Sequence, residues 1–267
     1  MTFPSLKPKT IEQSFTLAKD IYAQYNVDAD SALKRLANVS LSMHCWQGDD
    51  VRGFESTRSA LSGGIMATGN HPGAARTLDE LRADIDMAFS LIPGKHRLNL
   101  HAIYLDNGGK PVDRDAIEPS HFKSWVQWAQ QRGIPLDFNP SFFSHPKSAD
   151  GMTLTHPKKA IRSFWIEHGK RSRTIAASFA KAFRSPVVNN FWIPDGTKDN
   201  TFDRWGARER LIESYDSIFS QPGDKRVKDA IEGKLFGIGS ETFVAGSNEF
   251  CIGYALSRGQ LVCLDMG

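Results

Sequence analysis

The chain has 267 residues, of which 40% are hydrophobic and 24% are charged, so it can bury a sizeable core and does not have the composition of a disordered protein. Lysine and arginine exceed aspartate and glutamate by only three charges, which argues against a nucleic-acid or anionic-membrane surface and favours a small-molecule partner. The sequence has no run of eighteen apolar residues and no CxxC spacing among Cys45, Cys251 and Cys263, so it predicts no membrane span, disulfide framework or zinc ribbon and indicates a cytoplasmic protein.

Two helices are predicted at the start of the chain. The first covers about Ile11 to Tyr25, where apolar residues recur at helical spacing. The second begins at Asp28 or Asp30 as its N-cap, and its apolar residues are expected to face inward: Ala32, Leu33, Leu36 and Ala37. We assign residues 1–39 to an N-terminal helical segment and residues 40–267 to a single further domain.

From residue 40 onward, short apolar runs alternate with amphipathic helices, which is the pattern of βα units in a parallel sheet. The predicted strands are Ser40 to Trp46, Arg97 to Tyr104, Leu136 to Asn139, Val187 to Ile193, Ile231 to Ile238 and Leu261 to Asp265. The predicted helices are Leu78 to Leu91, Pro119 to Arg132, Lys158 to Phe183, Trp205 to Ser220 and Asn248 to Ser257.

Long loops follow the first three predicted strands: Gln47 to Arg76, Leu105 to Glu118 and Pro140 to Pro157. Loops after strand ends are where α/β barrels carry their chemistry, but a closed barrel of this type needs eight strands. Two architectures therefore remain open, an open doubly wound sheet and the front part of a longer barrel protein.

Charged residues at predicted strand ends are the first candidates for chemistry. Glu232 and Lys234 lie two residues apart in a predicted strand, which places both side chains on one face. Their spacing favours an ion pair with each other or with neighbours, while a metal-binding Glu beside a substrate-binding Lys is the sharper interpretation. Asp265 ends the last predicted strand, where it is either a turn residue or a ligand.

His101 and several aromatic residues lie at the same ends. His101 closes an alternating run, where a histidine is commonly structural but can also serve in acid/base chemistry or hydroxyl binding. The aromatic residues either belong to the core or wall a sugar pocket: Trp46, Phe142, Phe143 and Trp192. Asp195 is interpreted as a turn residue. The motifs of common nucleotide, zincin, hydrolase and redox sites are absent from the sequence.

Six segments, found in order along the chain, resemble the L-rhamnose isomerase family: Ser42 to Val51, Leu98 to Tyr104, Leu136 to Ser141, Trp192 to Gly196, Glu232 to Gly239 and Gly246 to Phe250. The resemblance implies a (β/α)8 TIM-type barrel of the xylose isomerase-like kind. It also implies interconversion of L-rhamnose and L-rhamnulose by a metal-assisted 1,2-hydride shift, with Mn²⁺, two ions per site, and assembly as a homodimer or homotetramer.

The same resemblance assigns roles to individual residues. Glu232 corresponds to a metal-bridging carboxylate of the family, and Asp265 corresponds to a further metal ligand. Lys234 corresponds to a lysine that contacts the substrate. His101 falls on a residue of sugar ring opening or hydroxyl binding, while Trp46 and Trp192 fall on the sugar pocket, to which we add Phe142 from its place at a strand end.

The chain also departs from the family pattern. The family continues from the Leu-Asp-x-Gly motif at Leu264 to Gly267 into further metal ligands, so we expect about six of eight βα units here and a chain that is inactive and unstable alone. Two alternatives remain open: a metal-dependent barrel hydrolase or endonuclease, and a non-catalytic sugar-binding or relic form of the same barrel.

Overall fold

A computed structural model describes residues 6–55, 72–199, 201–235 and 241–266. The α-helices in these residues are α1 (Pro8–Ala23), α2 (Ala29–Leu36), α3 (Leu78–Leu91), α4 (Lys123–Arg132), α5 (Lys159–Phe183), α6 (Arg204–Phe219) and α7 (Asn248–Arg258). The strands are β1 (Ser40–His44), β2 (Lys95–His101), β3 (Leu136–Asn139), β4 (Val187–Trp192), β5 (Gly196–Thr197), β6 (Val227–Glu232), β7 (Phe243–Val244) and β8 (Leu261–Cys263). Short 3-10 helices cover Ala102–Tyr104, Arg114–Ala116, Pro119–Phe122 and Pro146–Ser148.

The main sheet has six strands in the order β1-β2-β3-β4-β6-β8, and every neighbouring pair is parallel. The two-residue strands β5 and β7 form a separate antiparallel pair. Parallel neighbours that follow chain order, with helices between them, confirm an α/β fold and are compatible with a TIM-type barrel. The arrangement also brings the carboxyl ends of the main strands to one edge of the sheet.

Most of the predicted strands need correction at their ends. Those expected to reach Trp46, Ile193 and Asp265 end at His44, Trp192 and Cys263, so Asp265 follows its strand and does not end it. The strand expected to run to Tyr104 ends at His101, and Ala102–Tyr104 form a 3-10 turn whose Ala102 carbonyl accepts a bond from Leu105 N at 3.2 Å. The strand expected over Ile231 to Ile238 covers Val227–Glu232 instead. At Gly233 an added Cβ would lie 2.8 Å from Asn248 Cα, so a glycine is needed where the chain leaves the strand. Residues 236–238 lie outside the described residues.

The core consists of two large clusters of buried apolar side chains. One lies around β2, β3 and α4, with fully buried Phe122, Trp125 and Phe138. The other lies around β4, α5 and α6, with fully buried Trp165, Phe191 and Tyr215. α5 contributes Phe179 to the first cluster and Trp165 to the second, so this 25-residue helix joins them.

The N-terminal helices are placed differently from the expectation. Asp28, one of the two predicted N-caps of α2, is the N-cap and accepts a bond from Ser31 N at 3.0 Å. However, Leu33 and Leu36 are 49% and 52% exposed, so the expectation that they face inward is wrong. Exposure extends to both helices, since neither α1 nor α2 has a buried residue in the described structure. None of the described helices combines the length and apolar character needed to cross a bilayer.

Candidate functional site

Side chains from four strand ends lie along the carboxyl edge of the main sheet. β1 ends at His44, β2 at His101, β4 at Trp192 and β6 at Glu232. Trp192 and Glu232 are direct partners in the β4–β6 register. The parallel order of the sheet therefore gathers residues that are far apart in the sequence.

His101 is buried and contacts a second histidine. Its Nε2 lies 3.2 Å from Nδ1 of His44, and Nε2 of His44 lies 3.3 Å from Nδ2 of Asn99. On the other side, His101 Nδ1 lies 3.5 Å from Oγ of Ser141. Burial lowers the pKa of His101 well below its usual value, and the positive charge of Arg114 lowers it further, so the imidazole is neutral near pH 7.

A row of aromatic rings joins His101 to Lys234. The His101 and Phe143 ring centroids are 6.3 Å apart, and those of Phe143 and Trp192 are 5.9 Å apart. Lys234 Nζ lies 6.0 Å from the Trp192 centroid. The structure thus brings three of the predicted site residues into one row, with Phe143 as the link between His101 and Trp192.

The other two aromatic candidates lie away from this row. Phe142 is fully buried against Trp165, His168 and Phe191, on the opposite side of the chain from its neighbour Phe143. Trp46 is partly buried and packs against the first core cluster.

Glu232 is held by an amide and lies near a second carboxylate. Asn190 Nδ2 donates a hydrogen bond to Glu232 Oε2. Burial raises the pKa of Glu232 above its usual value, and the negative charge of Asp265 contributes to the rise. Two half-buried carboxylates that repel each other have the hard oxygen donors that Mn²⁺ or Mg²⁺ prefers. Their chemistry therefore fits a divalent cation.

Two carboxylates alone provide too few ligands to hold a divalent cation firmly. Within residues 6–55, 72–199, 201–235 and 241–266, no group of three or more His, Cys, Asp or Glu side chains is arranged to hold a metal ion.

Lys234 forms an ion pair, but its partner is not Glu232. Its side chain is fully buried, and Nζ donates to the Pro194 carbonyl at 2.7 Å and to Glu241. Because β6 ends at Glu232, the premise that Glu232 and Lys234 share a strand is wrong. The neighbouring ion pair that the spacing favoured is present, with a partner seven residues later that the sequence analysis did not identify.

Arg114 organises the segment after β3, and sequence reasoning missed it. The residue is 1% exposed, pairs with Glu55, and donates to the carbonyls of Ser141 and Phe143, the latter at 3.3 Å. Ser141 and Ser144 have φ values of 56° and 53°, a left-handed conformation that costs free energy in residues with a side chain. Arg114 therefore stabilises a strained segment that carries Phe143. In the sequence, the only indication of a role for Arg114 was its place in the long Gly- and Asp-rich loop after β2.

Asp195 does more than form a turn. Its carboxylate accepts four hydrogen bonds, from the backbone N–H groups of Thr153 and Thr155 at 2.8 Å and from their hydroxyls at 2.5 and 2.7 Å. Burial raises the pKa of Asp195, and these four bonds act in the opposite direction. The carboxylate fastens the loop after β3 to the end of β4, next to Pro194, whose carbonyl accepts from Lys234.

Comparison with known proteins places this geometry in context. A family model described as L-rhamnose isomerase (RhaA) matches residues 9–267. The L-rhamnose isomerase of Pectobacterium atrosepticum is 55% identical over 258 residues, which are 96% of this chain and 61% of that protein. The enzyme of Rhodopirellula baltica is 55% identical over 259 residues, with 96% and 60% covered, and that of a Listeria monocytogenes strain is 52% identical over 258 residues, with 96% and 61% covered. The chain thus spans about three fifths of the length of these curated relatives, at 60 to 61%.

Proposed function

The chain belongs to the L-rhamnose isomerase family, and from this premise we propose that the full-length gene product interconverts L-rhamnose and L-rhamnulose. The reaction is an aldose–ketose isomerisation in which a hydride moves between C1 and C2 of the opened sugar. The observation that carries the proposal is 55% identity to an L-rhamnose isomerase over 96% of this chain.

The proposed architecture is a (β/α)8 barrel of the xylose isomerase-like kind. Its support is the main sheet, whose six parallel strands follow chain order. In this proposal residues 40–267 form about six of the βα units, and residues 1–39 form an N-terminal helical segment.

The proposed cofactor is Mn²⁺, with two ions at each complete site and with Glu232 and Asp265 among the ligands. When bound, a divalent cation polarises the sugar oxygens as a Lewis acid. Asn190 fixes the orientation of the Glu232 carboxylate through its side-chain amide, as outer hydrogen-bond partners of metal ligands commonly do.

The remaining site residues bind and orient the sugar. Lys234 donates from Nζ to a substrate oxygen, with the Pro194 carbonyl and Glu241 holding the ammonium group in place. His101 binds a hydroxyl or assists ring opening. Trp46 and Trp192 form apolar walls that exclude water, and Phe142 supports the segment that carries Phe143 from the core side.

Assembly and location complete the proposal. We place the protein in the cytoplasm as a homodimer or homotetramer. Support for the location is that Cys45, Cys251 and Cys263 form no disulfide, as expected in a reducing compartment.

The direct test is conversion of L-rhamnose by the full-length gene product after metal removal and reloading with Mn²⁺. We expect L-rhamnulose to form only after reloading, and Glu232→Gln to lower both Mn²⁺ affinity and turnover. Glu209→Gln, a change of the same type at an α6 residue, is the matched control. Binding of L-rhamnose without turnover would favour a non-catalytic sugar-binding protein. Absence of both binding and turnover would contradict the proposal.

A further inference from the structure

Three polar side chains form a hydrogen-bonded series that ends at His101. Asn99 and His101 are on β2, and His44 is the register partner of Asn99 on β1. Asn99 Nδ2 lies 3.3 Å from His44 Nε2, and His44 Nδ1 lies 3.2 Å from His101 Nε2. Each ring nitrogen in this series faces one partner, so each hydrogen bond has one donor and one acceptor, and all of them follow the same direction.

The amide of Asn99 sets that direction. Its Oδ1 is buried and has no hydrogen-bond partner within the described part of the chain. If the amide were turned round, the NH2 group with two donors would take that buried place, which costs more free energy than an unpaired carbonyl oxygen. Asn99 therefore donates to His44 Nε2, and His44, when neutral, carries its proton on Nδ1.

Both imidazoles are neutral in this environment. Burial lowers the pKa of His44, although the nearby negative charge of Asp137 acts against the shift. Burial also lowers the pKa of His101, and the positive charge of Arg114 acts in the same direction. With one proton on each ring, His44 Nδ1 donates to His101 Nε2, and the proton of His101 is on Nδ1.

We propose that Asn99 and His44 are positioning residues that hold His101 as its Nδ1-protonated neutral tautomer. Resting on the proposed function, this makes His101 a hydrogen-bond donor to a sugar oxygen and not a proton acceptor. Among the described residues, the nearest hydrogen-bond partner of Nδ1 is Ser141 Oγ at 3.5 Å, which is longer than a good N–H···O bond. The proton is therefore not committed to a strong bond within the protein.

The test is the 15N spectrum of the histidine side chains in the full-length gene product, loaded with diamagnetic Mg²⁺ because paramagnetic Mn²⁺ would broaden the signals of nearby histidines. The His101 signals are identified by their loss in His101→Gln. We expect a protonated Nδ1 and an unprotonated Nε2 at pH 7.5. His44→Leu removes the donor and should let the proton of His101 occupy either nitrogen, whereas His44→Gln keeps an N–H donor and should preserve the wild-type tautomer.

Activity provides the second readout. We expect His44→Leu to lower kcat roughly 10- to 100-fold, the size of effect seen when an outer partner that fixes a histidine tautomer is lost, with partial recovery in His44→Gln. A purely structural role would lower the thermal midpoint of both variants without this difference in kcat.

The wild-type spectrum decides the proposal even where a variant does not fold. A proton on Nε2 of His101 would overturn the proposal, whether or not L-rhamnose is isomerised. A proton on Nδ1 in a protein that does not isomerise L-rhamnose would confirm the tautomer and contradict the proposed function.

Discussion

Lys234 is a buried charge whose role at the site and role in stability can be separated. Lys234→Met removes the ammonium group and leaves Glu241 and the Pro194 carbonyl without it. Removing one member of a buried ion pair typically costs about 3–5 kcal/mol of unfolding free energy, because the other charge loses the group that offsets its desolvation. The double variant Lys234→Met with Glu241→Gln removes that charge and should recover most of the stability. We expect L-rhamnose isomerisation to remain lost in both, as measured by ketose formation alongside urea unfolding.

The matched control for this pair of variants is Lys228→Met, at an exposed lysine of the same strand region, and it should change neither property. Return of near wild-type turnover in the double variant would show that Lys234 acts only by pairing with Glu241. In that case the assignment of the lysine to the substrate would be wrong.

The buried His168 and the partly buried His145 predict a loss of stability in mild acid. Burial and the charge of Arg114 lower the pKa of His145 to about 4 and that of His168 to about 3. The unfolded chain protonates these residues near pH 6.5, so between that pH and about 3 to 4 the unfolded state binds more protons than the folded state. Stability should therefore fall by about 1.4 kcal/mol per pH unit for each histidine as the pH drops below 6.5.

The measurement is the urea midpoint of the full-length gene product at pH values from 7.5 to 4.5. His168 Nδ1 lies 2.9 Å from the Arg114 carbonyl, and Gln at this position retains an N–H donor without titrating. The slope below pH 6.5 should be smaller in His168→Gln than in the wild type. Equal slopes would contradict the assignment of the acid sensitivity to His168.

At the level of elements, the segment after β3 depends on Arg114 for its shape. Arg114→Lys keeps a positive charge for Glu55, but an ammonium group does not reproduce the planar donors that reach the Ser141 and Phe143 carbonyls. We expect a loss of about 2–4 kcal/mol from two buried carbonyls without their donors. Displacement of Phe143 should also raise KM for L-rhamnose. Urea unfolding and initial rates measure the two effects.

Arg226→Lys is the matched control, since Arg226 forms a half-exposed ion pair with Asp224. It should change stability and KM very little, because exposed pairs contribute weakly. If Arg114→Lys behaves like Arg226→Lys, the segment keeps its conformation without the guanidinium.

The regular elements were predictable because their signals are local. β3 and α3 have the predicted bounds, and Thr77 caps α3, with its hydroxyl accepting from Glu80 N at 3.2 Å. The end of β6 was not predictable, since it depends on the close packing of Gly233 against Asn248. The helical pattern also did not predict the exposure of Leu33 and Leu36, because amphipathicity shows which face of a helix is apolar but not whether another element covers it.

The sequence could identify candidate residues in or near predicted strands, while their roles in binding or catalysis stay predictions. Glu232, His101 and Trp192 were identified from the sequence, and the structure places them at strand ends. Glu241, Arg114 and Asn190 were not, because their roles come from contacts over distances of 7 to 59 residues that no local pattern shows. Phe142 and Phe143 are adjacent in sequence, and only the fold shows which of them faces His101.

For the whole molecule, the order of the sheet determines both the site and the exposed surfaces. Parallel strands in chain order place His44, His101, Trp192 and Glu232 at one edge. The same order leaves β1 and β8 as the outer strands, each paired on one side within the described residues. Leu41 on β1 is 42% exposed and Leu261 on β8 is 50% exposed. Unpaired strand edges with apolar side chains favour association between chains.

These exposed edges predict the behaviour of a polypeptide made of residues 1–267 alone. Apolar side chains are also exposed on the N-terminal helices, including Leu17 at 62% and Leu36 at 52%. We expect this polypeptide to bind the dye ANS, to unfold without a sharp transition and to self-associate, because contiguous apolar surface and open sheet edges are unfavourable in water. Fluorescence, thermal unfolding and sedimentation velocity measure the three properties.

A pair of double variants separates the strand edges from apolar exposure in general. Leu41→Lys with Leu261→Lys places a charge on each outer strand, and charges on edge strands oppose pairing between chains. Met87→Lys with Leu91→Lys makes the same change at α3 residues that are 59% and 71% exposed, away from the strand edges. Self-association should fall in the first double variant and persist in the second. A monomer with a sharp transition and no dye binding in the unmodified polypeptide would contradict the prediction, since it would show that residues 1–267 satisfy their own edges.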